Sequence, residues 1–119
     1  MRSLVIKCTA GAEDAERCNQ AFTVAAAAVA AGADVSLWLT GEAAWFGVPG
    51  RAEEFSLDLA GSLAESRDLV LASGRLTVCS QCAARRGIVE EDLVEGARIA
   101  GATGFTEEVL RDGVQALVY

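Results

Sequence analysis

The chain has no histidine and only one lysine and one proline among its 119 residues. Without histidine, no site in this protein can use a histidine base or a histidine metal ligand. Hydrophobic residues make up 52% of the chain, yet its longest apolar stretch, residues 22–33, is mostly alanine and shorter than the roughly 18 residues that cross a membrane. The apolar stretch near the N-terminus is too brief for a signal peptide. We therefore predict a cytoplasmic protein without membrane association.

Basic residues are also scarce, because ten Lys and Arg stand against seventeen Asp and Glu, which gives a net charge of -7. The basic residues are scattered along the chain rather than clustered. This charge argues against binding to nucleic acid or to an anionic membrane surface. The length suits a single domain, residues 1–119, with its own hydrophobic core, and the sequence contains neither a repeat nor a linker that would divide it.

Short apolar runs alternate with stretches of helical periodicity along the chain. The alternation predicts an α/β domain with a mainly parallel sheet, flanked by helices on both faces, as a flavodoxin-like three-layer sandwich. Residues 41–46 are predicted to form one helical turn and residues 51–61 a loop. The predicted strands are residues 3–8, 34–40, 75–79, 96–100 and 115–119. The predicted helices are residues 13–31, 62–73, 83–86, 90–95 and 106–112.

Cysteines end two of the predicted strands, Cys8 the first and Cys79 the third. In open α/β sheets, ligands bind beyond the carboxyl ends of the strands, so both thiols are predicted at the functional edge. If the first strand lies between the second and the third, as in flavodoxin-like order, the two thiols are near neighbours. Cys8 then either lines a pocket around Cys79 or belongs to the core.

The segment that begins at Cys79 combines a strand end with a helix start. The backbone N–H groups that follow, at Ser80 and Gln81, and the positive end of the helix favour a thiolate at Cys79. The guanidinium groups of Arg85 and Arg86 either stabilise a sulfur anion there or form salt bridges with the acidic run that follows. We predict that Cys79 is a reactive thiol that carries the chemistry of the protein.

Cys82 makes this segment a Cys-x-x-Cys motif, and its spacing would allow it to resolve a sulfenate, persulfide or mixed disulfide on Cys79. The only proline, Pro49, lies in an apparent turn, and nothing resembles the Trp-Cys-Gly-Pro-Cys context of thioredoxins. A zinc site would need all four cysteines of the chain, and Cys18 falls on the apolar side of a helix. We therefore predict neither a metal nor a cofactor.

The sequence resembles the DsrE/DsrF-like family, which includes the TusD-type sulfur-relay subunits. The resemblance covers nearly the whole chain: the first strand with the start of its helix, the run Ala-Gly-Ala-Asp-Val-Ser-Leu-Trp-Leu-Thr at residues 31–40, and above all the Cys-x5-Arg-Arg-Gly-Ile segment at residues 79–88. In active family members, a cysteine six residues before the Arg-Arg-Gly carries a persulfide sulfur between partner proteins. The resemblance implies that role for Cys79, whereas Cys82 departs from the relay pattern.

The prediction is a sulfurtransferase-like sulfur carrier in which Cys79 accepts sulfane sulfur and passes it on. Its partners would be donor and acceptor proteins or small thiols. The alternatives are a thiol-redox protein that cycles a disulfide between Cys79 and Cys82, and a non-catalytic oligomeric module that binds a small ligand. The resemblance implies a homotrimer or homohexamer. Trp45 and Phe46, outside the predicted strands, are candidates for a subunit interface, for a cover of the pocket or for a lid on the core.

Overall fold

A five-stranded sheet forms the centre of the protein in a computed structural model that describes residues 2–119. The strands are β1 (Ser3–Cys8), β2 (Asp34–Leu39), β3 (Arg75–Cys79), β4 (Arg98–Ala100) and β5 (Val114–Val118). All strand pairs are parallel, and the order across the sheet is β4-β3-β2-β1-β5. The central strand β2 is buried at every residue but the first, which explains its mostly apolar sequence.

The helices connect these strands in chain order: α1 (Ala15–Ala30), α2 (Arg51–Glu54), α3 (Leu63–Ser73), α4 (Ser80–Arg85) and α5 (Ala102–Val109). Three short 3-10 segments, Ala12–Asp14, Gly41–Gly47 and Glu90–Asp92, complete the elements. None of the helices within residues 2–119 is long and apolar enough to span a membrane.

The two faces of the sheet differ in chemistry because neighbouring residues of a strand point to opposite sides. On one face, Ile6, Leu37 and Leu76 are aligned across three strands and are fully buried beneath α1 and α3. On the other face, Lys7 lies beside Trp38, and α5 covers this side by packing Phe105 edge-on against the Trp38 ring, with the centroids 5.4 Å apart. Helices cover both faces, so the predicted α/β sandwich is confirmed.

The strand order differs from the flavodoxin-like order on which one prediction depended. Here β2, not β1, is the neighbour of β3, and β1 lies between β2 and β5. Cys8 and Cys79 are therefore separated by a strand and are not adjacent at the sheet edge.

Local signals predicted several element boundaries correctly. The side chain of Ser62 accepts a hydrogen bond from the Glu65 N–H at 3.1 Å and caps α3. Gly87 ends α4 with a φ of 68°, and the N–H of Ile88 reaches back to the Ala83 carbonyl at 2.9 Å, as in a Schellman motif.

Four helical segments differ from the prediction. The helix predicted at residues 83–86 begins at Ser80, and residues 90–95, predicted as a helix, contain only the 3-10 segment Glu90–Asp92. The segment predicted as a loop contains the short helix α2, which Arg67 of α3 ties down through a bidentate ion pair with Glu53. The last helix was predicted to begin at Thr106, but α5 begins at Ala102. Its start was missed because Gly101 caps it without a side-chain hydrogen bond and because Gly104 lies within it.

Candidate functional site

A cavity of about 270 Å³ opens at the carboxyl ends of β1, β2 and β3, beside the start of α5. It contains both cysteines of the Cys-x-x-Cys motif, Cys79 and Cys82, together with Lys7, Trp38 and Phe105. The sheet register explains this grouping. Lys7 pairs with Trp38, and Thr40 and Cys79 each lie one residue beyond the paired Leu39 and Val78. Residues far apart in the sequence are thereby brought around one thiol.

All four cysteines are free. Cys79 is half-buried, whereas the other three are buried. It occupies the N-cap position of α4. Burial, the largest single influence, opposes its ionisation. The N–H and thiol of Cys82, the N–H of Gln81 and the charge of Lys7 outweigh burial together and lower the pKa of the Cys79 thiol. The Cys79 side chain forms no capping hydrogen bond with the first turn of α4.

Cys82 is held on the inner side of this cavity, where its sulfur accepts a hydrogen bond from the Gly41 N–H at 3.1 Å. Gly41 has a φ of 57°, and a Cβ there would lie 2.9 Å from the Thr9 carbonyl oxygen. Only glycine fits this position without strain. The close approach of the β2 end to the β1 end therefore fixes the position of the second thiol.

The predicted binding residues of the motif divide into two groups. Ser80 and Gln81 line the cavity. Arg85 is exposed, and Arg86 turns away to bind the Glu42 carboxylate at 2.7 Å and the Cys82 carbonyl at 3.0 Å, so neither guanidinium lines the cavity. A contribution of these arginines to anion binding stays a prediction, and Lys7 is the cation at the cavity wall.

Cys8 is a core residue, which corrects its inclusion among the candidate binding residues. It is fully buried on the opposite face of the sheet from Lys7 and donates its thiol hydrogen bond to the Ala10 carbonyl at 3.2 Å. Its neighbour is the equally buried Cys18. The contact with Cys8 and burial both raise the pKa of Cys18, so Cys18 stays a protonated core thiol.

Sequence reasoning missed the cavity residues outside the Cys79 segment, and three of them carry a charge or an aromatic ring. Lys7 had one usable signal, namely that it is the only lysine and immediately precedes Cys8 at a strand end. No local signal distinguishes Trp38 from the other apolar residues of its strand. Phe105 lies just before the helix predicted at residues 106–112, whereas α5 begins at Ala102 and includes it.

A buried polar network holds α5 against the sheet. Glu108 is 5% exposed, and its carboxylate accepts hydrogen bonds from Trp38 Nε1 at 3.3 Å and from the Arg98 guanidinium at 2.7 Å. Arg98 also donates to the Thr77 hydroxyl at 2.8 Å. These bonds fix the indole that forms one wall of the cavity and the helix that carries Phe105.

Trp45 and Phe46 lie away from the Cys79 cavity. Phe46 is buried and packs edge-on against Phe22 and Phe55, with ring centroids 6.1 and 5.7 Å away. Trp45 is half-buried, with the Arg51 guanidinium 4.2 Å from its ring centroid. Among the three alternatives considered for this pair, Phe46 has the core role, and neither residue covers the thiol.

These features define a class of protein: a parallel α/β sandwich with a half-buried, acidified thiol at the carboxyl edge of its sheet. The sequence model of the DsrE/DsrF-like family matches residues 2–118. The chain therefore belongs to the DsrE/DsrF-like family, and the resemblance identified from its motifs is confirmed.

Solved structures agree with this fold. The ychN protein from E. coli superposes with a TM-score of 0.83 at 19% sequence identity, and 100% of each chain is covered. A protein of unknown function from Methanobacterium thermoautotrophicum superposes with a TM-score of 0.63 at 11% identity, also over 100% of each chain. No curated protein matches the chain significantly. At these identities, the structural similarity establishes the fold alone.

Proposed function

We propose that the protein is a sulfur carrier in which Cys79 holds a persulfide between donor and acceptor. The DsrE/DsrF-like family is generally related to sulfur relay. The observation that carries the proposal is the environment of Cys79, a half-buried thiol of lowered pKa in a small cavity, while the other thiols are buried. Shielding favours a persulfide because it limits access by water and stray oxidants.

Each half of the reaction is a thiolate displacement. The Cys79 thiolate attacks the sulfane sulfur of a persulfide donor, the sulfur–sulfur bond of the donor breaks, and the donor leaves as a thiolate. The backbone N–H groups of Gln81 and Cys82, which lower the pKa of the Cys79 thiol, favour negative charge on sulfur at this position. An acceptor thiolate reverses these steps by attacking the terminal sulfur and releasing the Cys79 thiolate.

Intact-mass spectrometry after incubation with inorganic polysulfide tests this proposal. We expect the wild-type protein to gain the mass of one sulfur atom, and peptide mapping to locate it on Cys79. Cys79→Ser should lose the adduct, whereas Cys82→Ser and the core control Cys18→Ala should keep it. A wild-type protein that stays unmodified, or an adduct that persists in Cys79→Ser, would overturn the proposal.

A thiol-redox protein is the second candidate, and one observation favours it. Cys79 and Cys82 line the same cavity, and their thiols interact closely enough to affect the pKa of Cys79. In this alternative the two thiols lose two electrons and two protons to a disulfide substrate and form a disulfide. A reversible Cys79–Cys82 disulfide, with activity lost in Cys82→Ser, would identify this function instead.

We also propose that the protein assembles with copies of itself, as a trimer or a hexamer. In the free protomer, β5 is an edge strand whose side chains are mostly exposed, including Leu117 and Val118. Leu110, at the end of α5, adds a third exposed apolar side chain. Exposed edge strands of this kind are commonly covered by another chain.

A further inference from the structure

The only lysine of the chain lies in the same cavity as the proposed sulfur-carrying thiol. Lys7 is half-buried near the carboxyl end of β1, and its ammonium nitrogen lies 4.7 Å from the centroid of the Phe105 ring. The ring orients the ammonium through a cation–π contact. Within residues 2–119, Lys7 forms no ion pair with a carboxylate.

The charge of Lys7 is also unopposed by the rest of the cavity. None of the described residues that line the Cys79 cavity is acidic. Four other surface cavities each carry two carboxylates in their walls, as expected for a chain with seventeen acidic residues. The Cys79 cavity therefore stands apart as a locally positive site on an acidic protein.

A partly desolvated ammonium without a counter-ion is complementary to an anion, because the field of the charge is weakly screened away from bulk water. The cavity of about 270 Å³ is small, near the lower limit of sites for drug-sized molecules. Lys7, the Ser80 hydroxyl and the Gln81 amide provide hydrogen-bond donors along its wall. These features are complementary to a small anion that accepts hydrogen bonds.

We propose that Lys7 forms an anion subsite in the Cys79 cavity, and that the sulfur donor is a small sulfur oxyanion of the thiosulfate type. The proposal rests on the sulfur-carrier function proposed above. The oxyanion end of the donor binds Lys7, which aims its terminal sulfur at Cys79. Lys7 is thus a residue that determines specificity for an anionic donor.

The transfer balances without a further oxidant or reductant. The Cys79 thiolate attacks the terminal sulfur of thiosulfate and forms a new sulfur–sulfur bond. The sulfur–sulfur bond of thiosulfate breaks, and its electron pair leaves with sulfite. Cys79 becomes a persulfide anion, and the total charge is the same on both sides. Lys7 compensates negative charge on the donor, on the leaving sulfite and on the product persulfide.

Alkylation with reagents of different charge tests the anion subsite independently of sulfur transfer. Iodoacetate is an anion and iodoacetamide is neutral, so the ratio of their rates at Cys79 reports the local potential. We expect this ratio to fall roughly threefold to tenfold in Lys7→Met, as for the loss of one nearby charge.

Lys7→Arg should keep most of the ratio. Arg111→Met is the matched control, since it removes one exposed cation outside the cavity and should leave the ratio unchanged. An equal ratio in wild type and Lys7→Met would overturn the subsite.

Sulfur transfer from thiosulfate tests the donor. We expect sulfite release and a persulfide on Cys79 in the wild type, slowed on the order of tenfold in Lys7→Met after correction for its iodoacetamide rate. If polysulfide loads Cys79 but thiosulfate does not, or if Lys7→Met transfers as fast as wild type, the donor assignment is wrong and the sulfur-carrier function stands. If neither donor loads Cys79, the sulfur-carrier function fails, and the alkylation ratio still decides the subsite.

Discussion

Among individual residues, the neighbours Lys7 and Cys8 of β1 have different surroundings: Lys7 lines the Cys79 cavity, and Cys8 belongs to the core. Cys8 points into the apolar face beneath α1, while Lys7 points to the other face and into the cavity. The same alternation places Leu39 in the core and Trp38 and Thr40 at the cavity wall. A one-residue shift of the strand register would move each of these side chains to the opposite face of the sheet. The composition of the cavity therefore depends on the register as well as on the residue types.

The pH dependence of Cys79 reactivity is the first prediction at this scale. The thiol has a lowered pKa because the Cys82 and Gln81 N–H groups, the Cys82 thiol and Lys7 together outweigh the opposing effect of burial. A lowered pKa populates the thiolate at lower pH, so the iodoacetamide rate should reach half its maximum below the roughly 8.5 of a free thiol. Rates measured against pH, with the background of Cys79→Ser subtracted, check this. A midpoint at or above the free-thiol value contradicts it.

At the scale of elements, α5 links the stability of the fold to the shape of the site. The helix is short, and its inner side is held by Glu108 between Trp38 and Arg98. Short helices gain little from their own hydrogen bonds, so the tertiary contacts determine whether α5 stays docked. Because Phe105 is on this helix and Trp38 is in the network, undocking would open the cavity on two sides.

Glu108→Gln should therefore lower the free energy of unfolding by about 1–3 kcal/mol, since it weakens a buried, charge-assisted network. The matched control is Glu107→Gln, which changes the exposed neighbour on the same helix and should stay within about 0.5 kcal/mol of wild type. Urea unfolding measures both values. Hydrogen exchange should also show faster exchange of the α5 amides in Glu108→Gln only. Equal stability of the two variants would show that the network does not hold the helix.

At the scale of the whole molecule, the two edges of the sheet differ. On one edge, β4 is only three residues long, which limits pairing with another chain. On the other edge, β5 is longer and exposes Leu117 and Val118. We therefore expect β5, rather than Trp45 and Phe46, to contribute to the subunit interface, because Phe46 is already buried within the protomer.

Light scattering at micromolar concentration should give a mass of three or six times 12.3 kDa for the wild type. Val118→Lys should reduce this mass, because it places a charge on the exposed edge strand. Leu69→Lys, which changes an exposed apolar residue of α3, serves as the control and should keep the wild-type mass. A wild-type mass of one protomer would contradict the oligomer. A Val118→Lys protein with an unchanged mass would exclude this residue from the interface.

Local sequence patterns were sufficient to predict the α/β sandwich, the family, the boundaries of β1 and β3, and the position of Cys79 at a strand end. These features depend on local patterns: apolar runs, the Ser62 cap and the Gly87 helix end are all read within a few residues. They depend little on which strand lies next to which. Local patterns failed for α2, which lacks a side-chain cap and is held by Arg67 from another helix.

The residues that reach Cys79 from other strands and from α5 depend on the arrangement of the whole chain. The strand order placed β2 between β1 and β3 and so separated Cys8 from Cys79. The parallel register brought Lys7 and Trp38 into one row, and the docking of α5 added Phe105. Such contacts join residues that are distant in the chain, and many strand orders satisfy the same apolar pattern. The local sequence therefore identifies the thiol that we propose to be reactive, whereas the cation and the aromatic side chains around it follow from how the strands and α5 are arranged.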